Sequence, residues 1–190
     1  SSVSSRPKTT PFDWAAEELV AAHPGLYLEH CAVMAAALMT RHSARPCEFL
    51  VECDGFRPPV SGGQDRFLLR VSWSDATASK AARVWETEQP RAVIERAAVA
   101  LAALTFGHLV PDGQMRVTRV GDRADYWLPR LKCALEISGT EHLSEVPRCH
   151  RQKVVQVLQN PLRWNGFVYI CCFVAPRGQI RWTFVQQEQA

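Results

Sequence analysis

Residues Gly166–Val174 read GFVYICCFV, nine consecutive positions without a charge. A strand with one wet face alternates apolar and polar side chains. This one does not, so it fits a central strand covered on both faces. The covering layers must come from amphipathic helices elsewhere in the chain, which points to an α/β (α+β) domain with a mixed central sheet flanked by helices. Pro176-Arg177-Gly178 then turns the chain into a last strand, Gln179–Phe184.

The rest of the chain supplies the partners. Pro90–His108 is predicted as a long helix with Pro at its first turn and a face of Val93, Ala97, Ala100, Leu101 and Leu104. Strands are predicted over Gln114–Val120, Ala124–Leu128 and Lys132–Ser138, the last stopped by Gly139. Pro147–Leu158 follows as a helix that ends at Asn160-Pro161. Ahead of this lie a helix start at Thr10-Pro11-Phe12-Asp13, a helix over Leu26–Arg41, a hairpin of Glu48–Phe56 and Arg66–Trp73, and a helix over Ser79–Gln89. The expected organisation is a tail at 1–10, helices and hairpin at 11–75, and an α/β core at 76–190, all in one compact domain.

Composition narrows the class. A hydrophobic fraction of 47% and a net charge of +3 over 190 residues suit a globular domain, and permit nucleic acid as a partner without arguing strongly for it. The seven cysteines are odd in number and several fall in apolar segments, so they read as reduced thiols of a cytoplasmic protein. The apolar run Cys31–Met39 is too short to span a bilayer, and no membrane is expected.

The chemistry is concentrated in two acids. Asp125 opens one predicted strand and Glu136 lies inside the next. In a meander the two carboxylates can meet at one edge of the sheet, with Glu136 and Ser138 on one face and Leu135 and Ile137 on the other. A carboxylate in so apolar a strand needs a partner. Either an arginine or lysine supplies it, with Arg123, Arg130, Lys132 and Arg148 as candidates, or a hard divalent cation does, Mg2+ or Mn2+ held by Asp125 and Glu136.

A helix, a strand, a strand led by Asp125, a strand bearing Glu136-Ile137-Ser138, a helix and a strand, spanning roughly Arg91–Val174, resemble the core of the PD-(D/E)XK nuclease superfamily. The resemblance implies a restriction-endonuclease-like fold, with the N-terminal helices and hairpin as an addition. It also implies metal-dependent cleavage of DNA, as in defence or mobile-element systems. Asp125 and Glu136 fall on the metal-binding acids, and Glu95 on the helix acid of many members. Ser138 stands where the motif has lysine, so either a lysine from elsewhere substitutes or the site no longer cuts. Lys153 on the following helix is the preferred substitute, with Gln152 as a polar auxiliary; the two point about 100° apart and are not expected to share the site. Lys132 is roughly 13 Å from Glu136 along the strand and is too far.

Other features carry less. Arg148 and Arg151 share a helix face with Gln152 and can meet phosphates. Trp164, Arg181 and Trp182 can stack on bases or belong to the core. Ser138-Gly139-Thr140 can hold an anion as a turn, or simply end its strand. Cys149-His150 with Cys133 or Cys171-Cys172 lacks zinc spacing. Three readings therefore stand. The chain is a nuclease acting on DNA; it is a non-catalytic nucleic-acid-binding or protein-assembly subunit of the same fold, with a protein partner or a second copy; or it is an interaction domain that never meets nucleic acid.

Overall fold

The computed structural model describes residues 10–118 and 125–188. In chain order the elements are β1 (Phe12–Ala15), α1 (Glu18–Ala22), α2 (Glu29–His42), β2 (Cys47–Asp54), β3 (Arg66–Ser72), α3 (Asp75–Ala81), α4 (Val84–Thr87) and α5 (Pro90–Leu109). They continue with β4 (Arg116–Val117), β5 (Tyr126–Leu128), β6 (Cys133–Thr140), α6 (Val146–Leu158), β7 (Gly166–Cys172) and β8 (Gly178–Val185). Among the described residues, eight strands form one mixed sheet in the order β1-β3-β2-β8-β7-β6-β5-β4. The α/β class expected from the apolar strand is the one observed. Every residue of β7 is buried, with β6 parallel on one side and β8 antiparallel on the other.

The sheet separates two apolar layers because side chains alternate across it. Phe167, Tyr169 and Cys171 of β7 join the large core, beneath α2 and α5. There Phe106 meets Phe167 and Trp182 edge-on at 5.3 and 5.0 Å, and the Tyr169 hydroxyl lies 2.8 Å from Thr105 Oγ1. Val168 and Ile170, on the other face, form a smaller cluster with Cys149 and Val157 of α6 and Val185. By length and composition α5 could cross a membrane, at a mean hydropathy of 1.4; here it is the core helix, with Ala97, Ala98, Leu101 and Leu104 fully buried.

Several sequence expectations are corrected. The segment after Thr10 is no helix start: Phe12–Ala15 pairs in parallel with Leu69–Ser72 of β3. The helix over Ser79–Gln89 is replaced by two, α3, capped by Ser74, and α4. In α2, His30, which the helical spacing sets on the apolar face with Leu26, Val33 and Ala37, is exposed and pairs with Glu88, while Met34, Ala35, Leu38 and Met39 are buried. The strand over Gln114–Val120 contracts to Arg116–Val117, with 119 and 120 outside the described residues. Ala124, the first residue of the next expected strand, also lies outside them; that strand is expected among the central ones, but β5 begins at Tyr126 and sits one strand from the sheet's end.

Gly139 does not stop β6, which runs on to Thr140, so Ser138-Gly139-Thr140 is strand and no anion-binding turn. A Cβ at Gly139 would lie 2.7 Å from the Ile94 carbonyl oxygen and 3.0 Å from Ala98 Cβ. The glycine lets α5 rest directly on the strand.

Candidate active site

Helix α6 returns the chain from β6 to parallel β7, so it runs antiparallel to both. Four helical residues advance about 6 Å, and two strand residues about 6.6 Å. Cys149, Lys153 and Val157, spaced by four, therefore step along β6 over positions spaced by two. Val157 reaches the Ala134–Gly166 pair, where a Cβ at Gly166 would come within 2.7 Å of it. Lys153 reaches Glu136, its Nζ 3.3 Å from Oε2.

The same ammonium donates to Asp125 Oδ2 at 2.8 Å. Asp125 immediately precedes β5, and Oδ2 also accepts the Ile137 N–H at 2.9 Å, prolonging the β5–β6 pairing by one side-chain bond. Both carboxylates therefore accept from one ammonium. Sequence reasoning thus named all three converging residues.

Their environments differ. Glu136 is 1% exposed, and its Oε1 has no hydrogen-bond partner among the described residues. Burial and the Asp125 charge push its carboxyl up to about 8, with Lys153 acting in the opposite direction. Burial alone would lower the Lys153 ammonium, but Asp125 and Glu136 more than offset this and hold it above the ordinary lysine value. The lysine side chain is 17% exposed and that of Asp125 38%, so the cluster grades from a sealed floor to an open mouth.

That mouth is a cleft of about 550 Å³ between the first half of α5 and α6, lined by Asp125, Ser138, Gln152 and Lys153. Gln152 and Lys153 both line it, against the expectation that only one could: Lys153 reaches the acids while Gln152 borders the opening. Glu95 lines the cleft from α5 but pairs with Arg91 at 3.3 Å. A second cleft of about 500 Å³ shares Arg91, Glu95, Ser138 and Gln152 and continues along β6 to Glu145 and Arg148. No protein-family model, curated protein or solved structure matches this chain. The chemistry therefore has to be read from the geometry.

The alternative partners for Glu136 are elsewhere. Arg130 pairs with Asp112, Arg148 with Glu145, and Lys132 lines a pocket with Arg163 and Trp164; Arg123 lies outside the described residues. Arg151 is exposed and lines neither cleft. Trp182 is fully buried, Trp164 stacks on Trp127 at 4.9 Å, and Arg181 pairs with Asp54, so Trp182 is a core residue. All seven cysteines are buried free thiols, and His150 bonds Thr183 at 2.8 Å. Arg91, Arg96 and Gln156 line the first cleft and went unnoticed in the sequence. Gln156 had a usable signal, lying one helical turn beyond Gln152.

Proposed function

We propose that this chain is a divalent-metal-dependent nuclease domain of PD-(D/E)XK type, acting on DNA, in which Lys153 supplies the charge that the motif would place at Ser138. The observation that carries the reading is the single ammonium 2.8 Å from Asp125 and 3.3 Å from Glu136.

The donor set fits magnesium or manganese. Such ions need only one or two carboxylates and complete their shells with water and substrate phosphate. Asp125 and Glu136 would hold the ion, and the unpartnered Glu136 Oε1 is a buried acceptor suited to a cation. Among the described residues no three His, Cys, Asp or Glu side chains gather, so two carboxylates are what the protein would offer an ion here. Bound there, magnesium would neutralise phosphate charge and make a water more acidic. Lys153, held protonated, acts as a donor and not as a base: it orients the attacking water and stabilises charge developing on the phosphate oxygens. The Ile137 N–H fixes Asp125 for its role. Arg91, Arg96 and Arg148 stand on the cleft walls, where they can meet a phosphate backbone.

The second reading, a non-catalytic nucleic-acid-binding or assembly subunit, is favoured by the serine at the motif's lysine position. Incubation of the purified protein with plasmid and with single-stranded DNA separates the two. Cutting that needs Mg2+ or Mn2+, stops with EDTA and is lost in Asp125→Ala supports the nuclease. Binding without cutting supports the second reading, and neither outcome leaves a protein-interaction domain.

A further inference from the structure

Resting on the metal-site reading above, we infer that Lys153 also regulates the acid pair, keeping a divalent cation from binding tightly until a phosphate anion is present. The ammonium already bridges Asp125 Oδ2 and Glu136 Oε2. With both acids ionised, as a bound cation requires, two carboxylates and one ammonium leave a single net negative charge. A divalent cation alone would turn that into a net positive charge over a glutamate that is 1% exposed. Uncompensated charge at such a depth is costly.

The nearby walls offer no relief among the described residues. Arg91 pairs with Glu95 and Arg96 with Glu88, so these groups compensate one another. A phosphodiester carries the one negative charge that makes the assembly neutral. The remaining place for a cation is marked by Glu136 Oε1, buried and unpartnered among the described residues. Metal and phosphate binding are then reciprocally coupled, each strengthening the other by the same factor.

The test is Mn2+ binding followed by electron paramagnetic resonance, in which the free-ion signal falls as the ion binds. The protein is titrated alone and with a duplex oligonucleotide carrying hydrolysis-resistant phosphorothioate linkages, against a control of duplex and Mn2+ without protein. Wild type is expected to bind Mn2+ about tenfold more tightly, or better, with duplex, an ordinary size for a coupling between two sites. Lys153→Met and Lys153→Gln are expected to bind Mn2+ without duplex, and to gain little when duplex is added. Equal wild-type affinity with and without duplex overturns the inference, whatever the variants do. Variants that need duplex as much as wild type also overturn it, while the metal site stands. Absence of Mn2+ binding by wild type and variants in every arm overturns the metal-site reading itself, and the inference with it.

Discussion

The Lys153 ammonium lies 3.3 Å from Glu136 Oε2, across the interface between α6 and β6, although the residues are seventeen apart in sequence. The contact follows from the near match between a helical turn and a strand pleat, and from Gly166, which lets α6 lie close to the sheet. It places a cation over a carboxylate on the strand face that Ser138 shares.

The Glu136 carboxyl makes stability pH-dependent. Its folded value, pushed up to about 8, lies above the ordinary carboxylate range. The folded chain thus binds the proton more tightly than the unfolded one. This contribution is fully present below the ordinary range and is lost as pH rises towards 8. Glu136→Gln removes that dependence. In EDTA, thermal melts should show the variant gaining on wild type as pH is raised from 5 to 8; a constant difference would contradict the assigned environment.

His23 gives a slope of the opposite sign. It is fully buried, with Nε2 2.7 Å from the Ala103 carbonyl oxygen and Nδ1 accepting the Met115 N–H at 3.1 Å. Both contacts suit the neutral ring. Burial holds its pKa below the ordinary histidine value; the Ala103 carbonyl works against this and Arg116 adds to it. The unfolded chain therefore takes up the proton first, and stability is lost as pH falls below about 6.5. His23→Asn should flatten melting midpoints between pH 6.5 and 5. The remaining slope includes His150, which burial also lowers.

Gly139→Ala sets two effects against each other. Alanine restricts the unfolded chain, worth about 0.4–1 kcal/mol in its favour. Its Cβ would lie 2.7 Å from the Ile94 carbonyl oxygen, a backbone atom that cannot swing aside. Overpacking of this kind costs about 1–3 kcal/mol, so net destabilisation is expected in urea melts. An unchanged midpoint would mean that α5 does not rest on β6 as described.

Much of this was legible because periodicity reports burial. The apolar run at 166–174, the helix from Pro90 and the acid at 136 follow from counting residues. What misled was the local reading of single signals. Gly139 read as a stop, yet it accommodates a helix. Thr10-Pro11 read as a helix start, yet tertiary pairing with β3 draws Phe12–Ala15 into the sheet. The differing directions of Gln152 and Lys153 predict that only one faces the site, but a long lysine reaches the acids while its neighbour lines the cleft mouth.

The most direct test moves the charge back. Cleavage of a plasmid is followed in Mg2+ for wild type, for Lys153→Met, and for Lys153→Met combined with Ser138→Lys. Ser138 lines the same cleft, on the strand face of Glu136. Loss of an electrostatic stabiliser costs about 10²–10³ in rate, so the single variant should fall by that order. The double variant should recover part of it, because either position delivers an ammonium to the acids. Absence of cutting by wild type, or a Lys153→Met variant that cuts as fast as wild type, would contradict the account.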